Sequence, residues 1–128
     1  MKSDLIYPDL SYKIVGVLFD VYNEVGYGYQ EKYYQKAIAK AFIDSGIKYQ
    51  EQVYQPLKFR DSKIGSYFLD FLIEGKIVLE IKKGNYFSRK NIEQLYAYLK
   101  ATDLKLGILA NFTSDGVKIK RIVNIRDY

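Results

Sequence analysis

Residues 63–82 read KIGSYFLDFLIEGKIVLEIK, two apolar stretches on either side of Glu74-Gly75. An acidic residue followed by glycine is typical of a tight turn, so the segment predicts a β-hairpin. One carboxylate, Asp70, interrupts six apolar residues in the first strand, and Glu80 and Lys82 interrupt the second. Because buried charges need partners, these three residues constrain how the two strands pair.

The pairing of the hairpin decides whether the carboxylates meet. Side chains alternate between the faces of a sheet, so Glu80 and Lys82 share a face. With a two-residue loop, Asp70 would face away from Glu80. With a three-residue loop ending on Gly75, Asp70 would lie opposite Val78, diagonal to Glu80 and on its face. We therefore predict an odd-length loop or an adjacent bulge.

These three charged residues have two interpretations. Asp70 or Glu80 could form a structural ion pair with Lys82 at the end of the sheet. Alternatively, the two carboxylates could hold Mg²⁺, which takes a few protein oxygens and keeps several waters. Lys82 could then orient the attacking water or stabilise a phosphorane-like transition state.

Composition restricts the chemistry that the chain can perform. The 128 residues are 48% hydrophobic and 27% charged, as expected for one globular domain spanning residues 1–128. There is no cysteine and no histidine, which excludes disulfides, thiolate nucleophiles, histidine triads and Cys- or His-ligated zinc. Because no apolar run has the length of a membrane helix and the N-terminus lacks an apolar signal core, we expect a cytoplasmic protein without membrane association.

Charge is distributed unevenly along the chain. Residues 76–128 contain eleven Lys or Arg and five Asp or Glu, a net of +6 against +5 for the whole chain. This bias favours a polyanionic partner such as nucleic acid, although it also fits a solvated basic surface. Lys83, Arg89 and Lys90 flank the charged strand and begin the next helix, where phosphate contacts are common. A homodimer or a protein partner stays open.

Hydrophobic periodicity predicts eight elements in the order ααβββαββ. Asp9 or Ser11 is available to cap the first helix and Ser88 the third, Pro56 indicates an edge strand or a bulge, and Asp61-Ser62 indicates a turn. We predict an α/β (α+β) fold, with one central mixed sheet flanked by helices and parallel third and fourth strands. The predicted helices cover residues 10–25, 30–45 and 89–101, and the strands cover residues 48–59, 63–73, 76–82, 104–112 and 117–123.

The motifs together resemble a known superfamily. The spacing from Asp70 to Glu80-Ile81-Lys82, after two helices, resembles the PD-(D/E)XK nuclease superfamily. Residues 26–38, GYGYQEKYYQKAI, hold Gly28-x-x-Glu31-x-x-Tyr34 and resemble the GxxExxY protein family within it. Residues 94–112 and 116–123 extend the similarity. In that region, Gln94 and Tyr98 match the QxxxY signature of RecB-like nucleases.

One position departs from the family pattern. Many relatives have a histidine before the glycines, where this chain has Tyr22.

The resemblance implies a restriction-endonuclease-like fold and a Mg²⁺- or Mn²⁺-dependent nuclease that hydrolyses phosphodiester bonds in DNA. It implies that Asp70, Glu80 and the backbone carbonyl of Ile81 bind the metal, and that Lys82 acts on the water. It also implies catalytic roles for Glu31 and Gln94. Tyr34 and Tyr98 would support the site.

Each of these roles has a structural alternative. Glu31 could serve only the dipole at the start of the second helix, Tyr34 could only pack, and Gln94 could be a surface residue above a core tyrosine. The whole domain could also be a catalytically silent module that binds nucleic acid or a protein on the same scaffold. The intact set of Asp70, Glu80 and Lys82 favours the enzyme, because a silent groove gains nothing from carboxylates that face phosphates.

Overall fold

The computed structural model describes residues 6–125 and follows the predicted order of elements, ααβββαββ. None of the helices in this range is long and apolar enough to span a membrane. The helices are α1 (Pro8–Val25), α2 (Glu31–Asp44) and α3 (Arg89–Thr102), and the strands are β1 (Tyr49–Phe59), β2 (Ser62–Ile73), β3 (Ile77–Lys83), β4 (Leu106–Thr113) and β5 (Gly116–Val123).

The five strands form one mixed sheet in the order β1-β2-β3-β4-β5. Neighbouring strands run antiparallel except for β3 and β4, which are parallel as predicted. A parallel pair needs a crossover connection, and α3 supplies it. The predicted α+β fold with a central mixed sheet flanked by helices is therefore confirmed.

Two apolar clusters cover the two faces of the sheet. The cluster on the α1 and α2 side includes Leu79 and Ile81 of β3, and the cluster on the α3 side includes Val78. The side chains of β3 therefore alternate as the sequence predicted, and Glu80 and Lys82 belong to the face that α3 covers.

The start of α1 corrects one sequence prediction. The cap position is Tyr7, in the left-handed region with φ 46°, and no side chain caps the helix. Pro8 fixes the first turn because its φ is already helical. Ser11 is instead buried inside the helix, where its hydroxyl accepts a hydrogen bond of 2.7 Å from Arg121. The predicted cap of α3 is confirmed, since the backbone N–H of Asn91 donates to the Ser88 hydroxyl.

Most element boundaries also differ from the prediction by one or two residues. The turn between β1 and β2 is Arg60-Asp61, both with positive φ of 48° and 67°, so Ser62 already belongs to β2. The fourth strand begins at Leu106 rather than at residue 104. Asp103 takes a left-handed conformation after α3, and the N–H of Leu104 still donates to Leu99 of the helix.

Pro56 lies on β1, at the edge of the sheet, and the register shifts by a bulge between Leu57 and Lys58. Proline cannot donate a backbone hydrogen bond, so an edge strand tolerates it. Both structural expectations for this residue are confirmed.

Close packing of α3 on the sheet gives a test of the fold. A Cβ added to Gly107 of β4 would lie 2.9 Å from Cγ of Leu95, a buried residue of α3. We expect Gly107→Ala to lower the free energy of unfolding by about 1–3 kcal/mol through overpacking. In α1, Gly16 has open space around its Cβ position, so Gly16→Ala is expected to raise stability by up to about 1 kcal/mol. Urea denaturation measures both, and equal effects of the two variants would contradict this packing.

Candidate active site

The hairpin between β2 and β3 brings Asp70 directly opposite Glu80. Ile73 pairs with Ile77 and Phe71 with Leu79, which leaves a three-residue loop of residues 74–76. The predicted odd-length loop is confirmed. The predicted diagonal register is wrong by one residue, because the loop covers residues 74–76 rather than 73–75, and Asp70 therefore lies across from Glu80 rather than from Val78.

Two reciprocal hydrogen bonds hold the carboxylates in place. The backbone N–H of Asp70 donates to Oε2 of Glu80 at 2.8 Å, and the N–H of Ile81 donates to Oδ2 of Asp70 at 2.7 Å. Hydrogen bonds to a charged acceptor are short and strong, which fits these distances. One oxygen of each carboxyl group, Oε2 of Glu80 and Oδ2 of Asp70, is engaged by these bonds.

The strands are irregular at the level of Asp70. Leu69 packs in the cluster on the α3 side, but Phe71 packs on the α1 and α2 side, although residues two apart on a regular strand share a face. On β1, Gln52 has a φ of 49° and interrupts the pairing between Glu51 and Val53. On both strands, the regular alternation of side chains between the two faces of the sheet is therefore interrupted where Asp70 turns toward Glu80.

The electrostatics of this pair are unfavourable without a counter-charge. Burial of the Glu80 carboxyl, followed by repulsion from the charge of Asp70, raises the pKa of Glu80 from 4.5 to about 8. The charge of Lys82 acts in the opposite direction. Lys82 forms no ion pair closer than 4.0 Å with Asp70 or Glu80, all three of which lie in the described part of the chain. The alternative of a structural ion pair at Lys82 is therefore not what this geometry contains.

The carboxylates open into a cleft of about 220 Å³ between the sheet and α3. Gln94 and Tyr98 lie one turn apart on α3 and both line the cleft, as their spacing predicted. Burial, followed by the charge of Glu80, raises the pKa of Tyr98, so its hydroxyl is a neutral donor at ordinary pH. The residues that line the cleft are Ser66, Tyr67, Phe68, Leu69, Asp70, Glu80, Lys82, Gln94, Leu95 and Tyr98.

Two residues of the glycine motif lie outside this lining. Glu31 begins α2, and its Oε2 accepts a hydrogen bond of 3.2 Å from the backbone N–H of Lys83, directly after Lys82. Tyr34 is buried, and its hydroxyl donates to the carbonyl of Gly26 at 2.7 Å. Glu31 therefore contacts the end of β3, the strand that carries Glu80 and Lys82. Tyr34 stabilises the loop between α1 and α2 through its hydrogen bond.

Tyr22, the residue that departs from the resembled family pattern, packs against Phe112 and donates from its hydroxyl to the carbonyl of Thr113 at 2.6 Å. This contact ties α1 to the end of β4 and lies away from the residues that line the cleft.

The predicted phosphate-binding residues are exposed and outside the cleft lining. Lys83 places its ammonium 5.4 Å from the ring centroid of Tyr27. Arg89 donates to Glu93 at 2.9 Å in the first turn of α3, and Lys90 follows it. All three are accessible to a large ligand.

Asn111 is a residue near the site that sequence reasoning missed. It pairs with Lys82 across the parallel strands β3 and β4 and is buried. Its amide nitrogen donates to the carbonyls of Gly84 at 3.3 Å and Tyr86 at 2.7 Å. Asn111 therefore fixes the loop that follows Lys82. A lone polar residue within the apolar stretch LGILANF was the available signal.

The donor set suits a divalent cation held by few protein ligands. Among residues 6–125, no three Asp, Glu, His or Cys side chains come together as a metal-binding group. Asp70 and Glu80 are instead a close pair of carboxylates whose mutual repulsion a cation would relieve. Hard oxygen donors of this number match Mg²⁺, which retains waters in its remaining positions.

Comparison with known proteins establishes the class. The sequence model of the PD-(D/E)XK nuclease superfamily matches residues 8–122. The chain belongs to the PD-(D/E)XK nuclease superfamily, which confirms that level of the predicted resemblance. No curated protein shows significant similarity to the chain.

Solved structures resemble the fold at low identity. The crystal structure of SSO0001 is similar with a TM-score of 0.50 and 17% identity, over 90% of this chain and 80% of that one. An alkaline exonuclease (LHK-Exo) from Laribacter hongkongensis has a TM-score of 0.49 and 16% identity, over 68% of this chain and 52% of that one. The likeness to SSO0001 concerns the fold alone.

The repulsion at Glu80 predicts how stability depends on pH. Because the pKa of Glu80 is raised to about 8 on folding, the folded chain holds a proton that the unfolded chain releases. The free energy of unfolding therefore falls as pH rises from 4.5 through 8. Glutamine keeps the acceptor for the Asp70 N–H without the charge. In EDTA at pH 8.5, we expect the free energy of unfolding of Glu80→Gln to exceed that of wild type by at least about 1 kcal/mol, the equivalent of one pKa unit.

Thermal melts at pH 5 and pH 8.5 measure this difference in stability between Glu80→Gln and wild type, and we expect the difference to be smaller at pH 5. The control is Glu93→Gln, which changes an exposed carboxylate and is expected to alter stability by only a few tenths of a kcal/mol. A Glu80→Gln variant less stable than wild type at both pH values would contradict the repulsion.

Proposed function

We propose that this protein is a Mg²⁺-dependent nuclease that hydrolyses phosphodiester bonds in DNA, and that it belongs to the GxxExxY family with a RecB-like QxxxY signature. The observation that carries the proposal is the opposition of Asp70 and Glu80 across β2 and β3, in one cleft with Lys82. Both carboxyl groups are partly buried, and burial together with their repulsion raises the pKa of Glu80 to about 8, so a bound cation would stabilise the ionised pair.

The metal would be held by Asp70, Glu80 and the backbone carbonyl of Ile81. Bound Mg²⁺ would supply a Lewis acid for the phosphate oxygens and lower the pKa of a coordinated water. Mn²⁺ suits the same oxygen donors. The backbone hydrogen bonds to both carboxylates keep the donors in position before any ligand arrives.

Lys82 would act on the reacting groups rather than on the metal, because a protonated amine cannot be a ligand. Its side chain lines the same cleft as the two carboxylates. From there, the ammonium can orient the attacking water and stabilise the negative charge that develops on the phosphate.

The helix face opposite the carboxylates would orient the substrate. Gln94 can donate its amide hydrogens to a phosphate oxygen or a water beside Lys82. Tyr98, neutral because its pKa is raised, can donate from its hydroxyl. These two residues are positioning groups that act by hydrogen bonding.

Glu31 and Tyr34 would support the site from outside the cleft. The bond from Lys83 N–H to Glu31 restrains the end of β3, next to Lys82. Tyr34 restrains the start of α2, which carries Glu31, through its bond to Gly26. We therefore propose positioning roles for both residues.

Mutation separates the proposed roles of the charged residues. We expect Lys82→Ala to reduce DNA cleavage by about 10²–10³-fold while Mg²⁺ affinity stays equal or rises slightly. Asp70→Asn and Glu80→Gln should remove both cleavage and metal binding, although each keeps a hydrogen-bond acceptor. Calorimetric titration with Mg²⁺ and cleavage of a labelled DNA measure the two properties.

Lys36→Ala, which removes an exposed lysine of α2, is the control and should leave both properties unchanged. If wild type cleaves neither single- nor double-stranded DNA with Mg²⁺ or Mn²⁺, the catalytic proposal fails. The chain would then be a silent binding module on the same scaffold.

Salt dependence tests the nucleic-acid partner independently of cleavage. Each phosphate neutralised by a lysine or arginine contributes about −0.9 to the slope of log K against log salt for duplex DNA. We expect alanine substitution of Lys83, Arg89 or Lys90 to make the slope less steep by about 0.9 for each phosphate that is no longer neutralised. Binding measured by fluorescence anisotropy in EDTA that does not change with salt would contradict an interaction with the DNA backbone.

A further inference from the structure

Two strands continue past the site as an extended hairpin. The pairing of β2 with β3 ends at Phe71 and Leu79, but β1 and β2 stay paired from Val53 with Leu69 to Phe59 with Ser62. We call residues 53–69 the arm. In the described part of the chain, the arm is a two-stranded ribbon that begins where Asp70 enters the site.

Aromatic side chains on the arm are exposed. Tyr54 and Phe68 are directly paired across the strands, with ring centroids 5.3 Å apart. Their exposed fractions are 45% and 61%, and Phe59 and Ile64 nearer the tip are also exposed. Large aromatic rings at the surface of a ribbon keep apolar area in water, so a partner that covers them would stabilise the arm.

The charged groups of the arm are mainly basic. Lys58, Arg60 and Lys63 are offset only by Asp61. The ammonium of Lys63 lies 5.3 Å from the ring centroid of Tyr54, and the guanidinium of Arg60 lies 4.9 Å from that of Phe59. Cations beside exposed rings are the combination that tracks a phosphate backbone while bases stack.

The arm is continuous with the candidate active site. Its residues Ser66, Tyr67, Phe68 and Leu69 form one wall of the cleft that contains the carboxylates. Tyr67 and Leu69 pack toward α3, so the paired rings of Tyr54 and Phe68 lie on the other face of the ribbon. Because β2 has a free edge here and Phe68 belongs to the wall, a polymer bound with one phosphate in the cleft reaches the rings by crossing that edge.

We propose that the arm binds a single-stranded segment of the nucleic-acid substrate, with bases stacked on Tyr54 and Phe68 and phosphates contacted by Lys58 and Lys63. This inference rests on the proposed function, because it takes the ligand to be a nucleic acid. Stacking on the arm needs unpaired bases, because the base faces within a duplex are already covered by neighbouring base pairs. A second copy of the chain is a poorer occupant, since two basic arms would repel each other.

The aromatic contribution is tested in EDTA, so that cleavage does not interfere. The probe is fluorescein-labelled dT20, with anisotropy as the readout. We expect Phe68→Ala and Tyr54→Ala each to weaken binding at least about fivefold, while Phe68→Tyr binds like wild type. Tyr12→Ala, at an 82% exposed position of α1, is the matched control and should not change affinity. Melting temperatures check that each variant is folded.

The charge contribution is tested by the salt slope for dT20. Each phosphate neutralised on a single strand contributes about 0.7 to the magnitude of this slope, so the double variant Lys58→Ala, Lys63→Ala should reduce it by about 1.4. Lys40→Ala removes an exposed lysine that pairs with Asp44 on α2, and its slope should match wild type.

Two results would overturn the arm proposal. One is unchanged affinity of Phe68→Ala and Tyr54→Ala for dT20. The other is sedimentation showing that these variants convert a dimer to a monomer while dT20 affinity stays the same. The proposed nuclease function fails separately, through the absence of cleavage by a wild-type protein that still binds dT20 through the arm.

Discussion

The reciprocal hydrogen bonds between Asp70 and the Glu80-Ile81 segment are the interaction on which the site depends. In a regular hairpin, backbone groups bond to one another, but here two backbone N–H groups bond to carboxylates on the opposite strand. Bonds of this charged type contribute about 1.5–3 kcal/mol each. These hydrogen bonds offset part of the repulsion between two partly buried carboxylates.

The same constraint links the sheet to the surroundings of the site. Because Asp70 turns toward Glu80, the side chains of β2 do not alternate regularly between the two faces at this point. Leu69 and Phe71 therefore pack on opposite faces of the sheet. Beyond that point β2 has only β1 as a partner, so its residues become the wall of a cleft. The irregularity therefore forms both the carboxylate pair and the groove that leads to it.

The sequence was sufficient to predict which polar side chains share a face of a strand or helix, because a strand has a period of two and a helix has neighbours four residues apart. That rule placed Glu80 with Lys82 and Gln94 with Tyr98, and all four line one cleft. It did not settle the register, because Glu74 and Gly75 both adopt positive φ and the turn motif does not specify whether Ile73 or Lys76 is the third loop residue. The contact between Glu31 and the Lys83 N–H joins residues 52 positions apart, and no local pattern contains such information. Asn111 stands out in the sequence as a polar residue in an apolar strand, but its partners Gly84 and Tyr86 lie 27 and 25 positions away, so the local pattern does not reveal its role.

We propose that Asp70 and Glu80 form the metal-binding centre of a nuclease. Anomalous diffraction from crystals of the wild-type protein soaked in Mn²⁺ tests this proposal. We expect an anomalous peak between the two carboxylates, within coordination distance of an oxygen from each. A map in which Mn²⁺ occupies other positions while the Asp70–Glu80 pair has no peak would contradict it.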